Sequence, residues 1–370
     1  MKRIIIFFAV FALFSAQFGG YASADTYGDM YSESELSSLP GELSDETLSI
    51  LGELGIDLSD YKTFLNMDAN SALDVVKNLF ADRFKKPASA LTLAMAILLI
   101  CALISGMWNQ KLGMNEAYNY LCAVSIAAVV LFPLISTVNN CITSIKAASS
   151  FMLAFIPVFA AVLIAAGSIN SGLIYKSVML GICEAVSQVS SLVISPLISL
   201  FVALGMSSAL SGNEGVFKLA SQIKSVANWI LGFIMTVFTG FLSIQSVIGK
   251  AADNMTVKTT KFFVGSMVPV VGGALSEALT TVTAGIGMLK STAAMWCVIV
   301  LAIILLPTII ELFLWRIVLS LLASFSQMFS VSDSAKLFEI CSVAVSFIIA
   351  MLLCIFVMFI LSVVIVKSGG

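Results

Sequence analysis

The side chains that most often carry enzyme chemistry are absent or badly spaced in this chain of 370 residues. It contains no histidine, which removes the commonest general base and metal ligand. It also has no glycine-rich phosphate loop and no Gly-x-Ser-x-Gly elbow, so neither nucleotide hydrolysis nor serine-hydrolase chemistry is indicated. We therefore expect a protein that is not an enzyme, with no catalytic, cofactor-binding or metal-binding residues and no cofactor.

The seven cysteines lie in or beside apolar runs and never form a Cys-x-x-Cys pair. Cysteine in such surroundings is usually a small packing residue, so redox and metal-binding roles are disfavoured. The cysteines are Cys101, Cys122, Cys141, Cys183, Cys297, Cys341 and Cys354.

Charged side chains inside the apolar part of the chain are better candidates for function. A lone ion at the centre of a bilayer costs roughly 3 kcal/mol, so such side chains tend to face a bundle interior. Glu184 and Glu277 could line a polar site, with Lys176 as the partner of Glu184 or as an interfacial anchor. Glu311 and Arg316 lie five residues apart, too far round one helix to pair well, and are interpreted as a helix end where both reach water.

Four prolines in the apolar runs are predicted to bend or break helices, because each removes a backbone donor. The functional interpretation is a discontinuous-helix site or a gate, and the structural one is a static kink for packing. These residues are Pro157, Pro196, Pro269 and Pro307.

Composition identifies the class of protein. The chain is 59% hydrophobic and 11% charged, and its mean hydropathy is +1.06, more than a water-soluble core needs. No basic run suits nucleic acid. We predict an all-α, polytopic transmembrane helical bundle of seven or eight crossings, with 262–289 as either a crossing or a re-entrant element. The uncharged runs are 88–108, 117–145, 147–175, 185–213, 225–249, 291–310 and 340–366.

An internal duplication is suggested by matches at nearly one shift. Ile156-Pro157-Val158 aligns with Val268-Pro269-Val270, and Pro196 aligns with Pro307. The copies would cover residues 115–225 and 227–337, each with a loop holding Lys146 or Lys258. Three crossings per copy would give inverted halves, as in many transporters, and two would give parallel halves.

The N-terminal part reads as an export signal followed by an acidic region. Lys2 and Arg3, an apolar run and Ala22-Ser23-Ala24 predict a signal peptide over residues 1–24, with an uncleaved anchor as the alternative. Residues 25–87 would then be extracytoplasmic, with short amphipathic helices, and 88–370 would form the transmembrane domain. Between Asp25 and Lys86 there are thirteen acidic and five basic residues.

One segment of the chain resembles a known family. Residues 261–272, KFFVGSMVPVVG, continuing to 276–278, are similar to the stage III sporulation protein AE family. Residues 256–260, TVKTT, and FIPV at 155–158 with AAG at 165–167 fit the same resemblance. The export signal, acidic leader and length agree with it, so the resemblance covers nearly the whole chain.

The resemblance implies a role in endospore formation. Members lie in the mother-cell membrane around the forespore and act with other stage III A membrane proteins, a separate ATPase subunit and a forespore membrane partner. Together they form a channel-like or secretion-like complex required for late forespore development. The family supplies no catalytic residues to carry over.

Two functional hypotheses remain open from the sequence. The leading one is the non-enzymatic channel subunit that the resemblance implies. The alternative is a stand-alone secondary transporter or permease with a site at the membrane midplane, at the interface of the two repeats. An intramembrane enzyme is disfavoured because His, metal ligands and a nucleophile-base pair are missing.

Overall fold

A computed structural model of the protein describes residues 43–56, 69–107, 114–166, 168–189, 214–267, 272–329 and 331–367, with a few single positions between 196 and 207. Every regular element in these ranges is an α-helix, so the all-α prediction is confirmed for them. The predicted signal peptide lies outside the described residues. The helices are α1 Asp45–Glu53, α2 Ala69–Met107, α3 Met114–Ala165, α4 Ile169–Val189, α5 Glu214–Met267, α6 Gly272–Met328 and α7 Ser332–Lys367.

Five of the described helices contain a stretch long and apolar enough to cross a membrane. This is consistent with a multi-pass membrane protein, but it does not confirm the predicted count of seven or eight crossings. The five stretches are Asp74–Ile104, Leu121–Ala165, Gly232–Asp253, Ala293–Met328 and Ser334–Val366.

Helix α3 is one continuous helix where the sequence predicted two separate crossings. The sequence predicted crossings over 117–145 and 147–175, with Lys146 in a loop between them. Residues 114–165 instead form one helix, and the next helix begins at Ile169. Lys146 is exposed while Ile145 and Ala148 are buried. The lysine side chain therefore lies on the exposed face of the helix and does not interrupt its buried face. Helix α5 likewise continues through Lys258, the second predicted loop.

The prolines do not break the described helices. Pro157 lies inside α3 and Pro307 inside α6, and both helices continue past them. A static packing role within a long helix is therefore the better interpretation of these two prolines. Pro269 lies outside the described residues and Pro196 is described only as a single exposed position. The internal duplication accordingly remains a prediction.

Helices α6 and α7 form a tight antiparallel pair, and α3 packs along it. Trp296 of α6 is 1% exposed and lies against the rings of Phe151 and Phe155 of α3, at centroid distances of 5.3 and 6.1 Å. Helix α4 turns back along α3, where Phe159 and Tyr175 meet edge to face at 5.4 Å. Large aromatic side chains therefore fix the register of α3 against both neighbours.

Two cysteines depart from the packing role predicted for all seven. Cys101 of α2 and Cys122 of α3 form a disulfide, which joins the two helices close to their connection. The prediction missed it because the two residues are 21 positions apart and only antiparallel packing brings them together. The other five are free, four of them buried and Cys354 partly buried.

Local interactions bound helix α1 at both ends. The Ser44 hydroxyl accepts a hydrogen bond from the Thr47 amide at 3.3 Å, which caps the helix. Gly55 follows with a φ of 66°, a conformation that glycine adopts without strain. Ile50 and Leu51 are buried in the main core, so this short helix docks on α2 and α6.

Helix α2 joins the acidic region to the apolar body. It runs unbroken from Ala69 to Met107, so the boundary predicted between residues 87 and 88 falls inside a helix. The charged side chains of Asp82, Lys85 and Lys86 are exposed in its first half, whereas its second half is apolar. One rigid element therefore carries the polar region into the body.

Candidate functional site

The most distinctive polar site is built around Glu311, whose side chain is only 1% exposed. Arg83 Nη1 of α2 donates to Glu311 Oε2 at 3.2 Å, and the Thr137 hydroxyl of α3 donates to Oε1 at 2.7 Å. Both carboxylate oxygens thus have a partner, as a buried charge requires. Three helices distant in sequence contribute one side chain each.

Arg83 has a second acidic partner nearer the surface. Its Nη2 donates to Glu46 of α1, whose side chain is 55% exposed, while Arg83 itself is 24% exposed. One guanidinium therefore serves a buried and an exposed carboxylate, and the three groups together carry one negative charge when ionised. The network links α1, α2, α3 and α6, so the acidic N-terminal part is tied to the centre of the body.

Hydroxyl groups extend this cluster along α3 and α6. Ser144 Oγ and Thr308 Oγ1 lie 2.6 Å apart, and Thr308 stands about one turn before Glu311 on α6. The Thr137 hydroxyl also points at the Pro133 carbonyl, at 3.2 Å, but its contact with the carboxylate is shorter. We call Glu46, Arg83, Thr137 and Glu311 the Glu311 cluster.

A second polar contact joins α4 to α5. Asp253 is 8% exposed and accepts hydrogen bonds from the amides of Asn170 at 2.8 Å and Ser171 at 3.2 Å. These are orphan donors at the start of α4, so the carboxylate caps that helix and complements its dipole. Gly249 lies one turn earlier on α5, where a β-carbon would come within 2.6 Å of Ser171 Oγ. This is a structural joint between two helices.

An apolar cavity of about 310 Å³ lies between α4, α5 and α7. Its lining is almost wholly hydrocarbon, with no polar group placed to orient a substrate, so it offers no catalytic chemistry. Within the described residues, no group of three or more His, Cys, Asp or Glu side chains could hold a metal ion. The residues that line the apolar cavity include Ile182, Val189, Phe233, Phe241, Met351 and Met358.

The structure relocates the charges that the sequence singled out. Glu311 was predicted at a helix end in contact with water, which is wrong because it is buried and ion-paired. Arg316 is exposed, as predicted. Glu184 is also exposed and accepts a hydrogen bond from Gln188, so it lines no buried site among the residues that the structure describes, and Lys176 is exposed too. The Glu277 side chain lies outside the described residues.

Sequence reasoning missed Arg83 and Thr137 as partners of Glu311. Arg83 stands among the charges of the predicted acidic region, and 228 positions separate it from Glu311. A weak signal existed, since an arginine close before an apolar run can pair with an intramembrane carboxylate. Only the packing of α2 against α6 could identify which carboxylate it meets.

Comparison with known proteins gives one consistent result. The family model described as stage III sporulation protein AE matches residues 58–370. The stage III sporulation protein AE of Bacillus subtilis (strain 168) is 26% identical over 314 residues, which are 83% of this chain and 78% of that protein. No solved structure matches the chain.

Proposed function

Because the chain belongs to the stage III sporulation protein AE family, we propose that it is a non-enzymatic membrane subunit of a channel-like or secretion-like complex between mother cell and forespore. The family match over residues 58–370 carries this proposal, because it includes every helix from α2 to α7. A role in sporulation follows from the family itself.

The fold agrees with a scaffold or conduit better than with a catalyst. Five described helices are long and apolar enough to cross a membrane, and the buried polar side chains of the Glu311 cluster bind one another. A site that turns over substrate needs unpaired acid, base or nucleophile groups around an accessible space. The Glu311 cluster is instead placed to hold α1 and α2 against the body.

The proposed location is the mother-cell membrane around the forespore, with the N-terminal region outside the cytoplasm. The proposed partners are other stage III A membrane proteins, a separate ATPase subunit and a forespore membrane protein. Helix α1 supports the idea of an outward-facing docking region, because Asp45, Glu46 and Glu53 are exposed on it. The lipid bilayer would surround part of the body, and nucleic acid is not a partner.

Deletion of the gene in its host tests the function directly. We expect sporulating cells to complete engulfment and then arrest, with collapsed forespores and a silent late forespore reporter. Complementation with the native chain should restore both, and a chain lacking residues 43–56 should test the outward region. Normal spores in the deletion strain would contradict a role in late forespore development.

The assembly itself is tested by crosslinking during sporulation. Affinity purification of the tagged chain should recover other stage III A proteins and the ATPase subunit, whereas a tagged membrane protein of the same cells should not. Failure to recover any of them after crosslinking would remove the complex from the proposal and leave the sporulation role standing.

The described residues give little support to the alternative hypothesis of a stand-alone transporter. Of its two candidate residues, Glu184 is exposed and the side chain of Glu277 lies outside the described residues. Vesicles that contain only this chain and accumulate a solute would revive the transporter. We expect no such uptake, because both oxygens of the buried Glu311 carboxylate already have partners within the chain.

A further inference from the structure

The apolar cavity between α4, α5 and α7 has a buried floor and an exposed mouth. Its floor is α7, where Met351 and Met358 are 0% and 4% exposed. Its mouth is bounded on one side by α5, where the lining residues Phe233, Val237 and Phe241 are each at least 50% exposed. Helix α4 forms the other wall. The cavity therefore opens outward between α4 and α5 and ends against α7.

The cavity is elongated along two antiparallel helices. Asp253 of α5 contacts the start of α4 at Asn170, whereas the cavity brings Val189, at the end of α4, together with Phe233 of α5. The lining residues of α5 extend from Phe233 to Phe241, a distance of about 12 Å at about 1.5 Å per residue. The cavity is therefore a groove parallel to the helices, and we call it the α4–α5 groove.

The apolar stretch of α5 fits the α4–α5 groove into one half of a bilayer. This stretch, Gly232–Asp253, has 22 residues, which span about 33 Å, close to the hydrocarbon thickness of about 30 Å. Phe233 is at one end of the stretch and Phe241 is near its middle. Trp229, one turn before Phe233, is 69% exposed and stacks on the Phe233 ring at 5.6 Å. Tryptophan is typical of the membrane–water interface, so the groove runs from that interface towards the midplane.

Polar side chains accompany the groove near the end of α4. Glu184 and Gln188 are exposed there, and the Gln188 amide donates a hydrogen bond to the Glu184 carboxylate at 2.9 Å. They alternate along the helix with Ala185 and Val189, which line the groove. The lining itself is almost wholly hydrocarbon. An apolar groove with polar groups beside it suits an amphipathic molecule that has a hydrocarbon chain and a polar head.

The size of the groove selects a single hydrocarbon chain. Its volume is about 310 Å³, and a helix with its side chains is about 10 to 12 Å wide, so a further helix does not fit inside. Water gains no hydrogen-bond partner there, and cavities lined in this way stay dry and take up apolar molecules. Met351 and Met358 are flexible side chains that adapt to the shape of a bound chain. In a bilayer, the apolar molecule that the mouth meets is a lipid.

We propose that the α4–α5 groove binds one acyl chain of a membrane phospholipid, which reaches the floor on α7 and lies deeper than the lipid around the body. The headgroup of this lipid lies at the interface, near Trp229 and the end of α4. The bound chain fills the space between three helices and stabilises their packing, because an empty cavity forfeits the contacts of its lining. All the residues of the groove belong to one chain, so the site does not depend on the proposed complex.

Photolabelling of the full chain tests this in vesicles of phosphatidylethanolamine and phosphatidylglycerol. A small fraction of the phospholipid carries a diazirine halfway along one acyl chain, and mass spectrometry locates the adducts. We expect adducts at Met351 and Met358, which surrounding lipid cannot reach. Ile348 of α7 is 0% exposed and does not line the groove, so it should stay unlabelled, whereas Phe132, 82% exposed, should be labelled by surrounding lipid. Labelling of the two methionines no higher than that of Ile348 would overturn the proposal.

A groove-filling variant gives an independent readout. Ala185 lines the groove and is exposed, so the ring of Ala185→Phe occupies the space of the chain and should lower labelling of Met351 by about fivefold or more. Gly181→Phe is the matched control, on the same helix but outside the lining, where a β-carbon meets open space. Labelling at Phe132 should be the same in both variants. Equal labelling of Met351 in the two variants would overturn the proposal, whatever the sporulation phenotype.

Discussion

At the residue scale, the chemistry of the chain is concentrated in the Glu311 cluster. A buried carboxylate is tolerated because Arg83 and Thr137 satisfy both of its oxygens. The exposed partner, Glu46, adds less, since pairs near water contribute about 0 to 1 kcal/mol. The stability of the cluster should therefore depend on the inner contacts far more than on the outer one.

Removing the arginine should be strongly destabilising. Arg83→Met leaves the Glu311 charge buried without its ionic partner, a change that typically costs about 3 to 5 kcal/mol. Thermal unfolding of the purified chain in detergent measures this. The control is Lys85→Met on the same helix, where the exposed pair with Asp82 is lost and the midpoint should stay unchanged.

The double variant Arg83→Met with Glu311→Leu should recover much of that loss, because apolar replacement of both members of a buried pair is often neutral. A midpoint for the double variant no higher than that of Arg83→Met would show that the ion pair is not the source of the effect.

Thr137→Val should also destabilise the chain. It removes the donor to Glu311 while keeping the side-chain shape, and the loss of a hydrogen bond to a charged group costs about 1.5 to 3 kcal/mol. Thr143→Val, exposed two turns further along α3, is the matched control and should leave the unfolding midpoint nearly unchanged. Equal effects of the two changes would remove Thr137 from the cluster.

At the element scale, the long helices owe their form to packing on one face. Lys146 and Pro157 each suggest an interruption when read alone, yet α3 continues through both because its buried face packs on α2, α4, α6 and α7. Tertiary packing of an apolar face contributes more to helix stability than local preference does. Helix α4 then runs back along α3, and Asp253 caps its N-terminus.

The close contact between α4 and α5 leads to a specific prediction. Gly249→Leu should destabilise the chain by about 1 to 3 kcal/mol, the usual range for overpacking, because its β-carbon would meet Ser171 Oγ at 2.6 Å and Cα at 3.2 Å. Gly240→Leu on the same helix has open space and should be neutral or stabilising. Unfolding midpoints in detergent compare the two, and equal losses would contradict the close approach.

At the scale of the whole molecule, the exposed face of α3 changes from large apolar side chains, up to Ile135, to polar ones at Ser136, Asn139, Thr143, Lys146 and Ser150. This change marks a boundary between an apolar and a polar part of the body. The Glu311 cluster lies at this boundary, because Thr137 stands beside Ser136, and it fastens α1 to the body there. An acidic region held at this height would be in reach of partners in the space next to the membrane.

Cysteine accessibility should locate that boundary. In a chain without the seven native cysteines, single cysteines at Ser136, Asn139 and Lys146 should react with a membrane-impermeant maleimide in intact vesicles of the right orientation. Cysteines at Leu121 and Phe132 should not react, because lipid surrounds them. Uniform reaction along α3, or none at Ser136, Asn139 and Lys146, would contradict a hydrocarbon edge near Ile135.

The sequence alone determined the class of the protein. Hydropathy requires apolar helices, since the backbone must satisfy its own hydrogen bonds in lipid, and the missing histidines and motifs argue against an enzyme. Residues 256–278 carried the family resemblance, which the family model confirms over 58–370. Local signals also placed α1, because capping by Ser44 and the turn at Gly55 depend on neighbouring residues only.

The tertiary structure decided what depends on distant residues. It set where the helices end, since Lys146 and Pro157 in the 45-residue run from Leu121 to Ala165 suggest an interruption that the packed helix does not have. It buried Glu311 and exposed Glu184, although both are single acids in apolar surroundings, because only α6 brings its acid against Arg83 and Thr137. Whether a charge is buried depends on which helices meet, and that is a property of the packed chain.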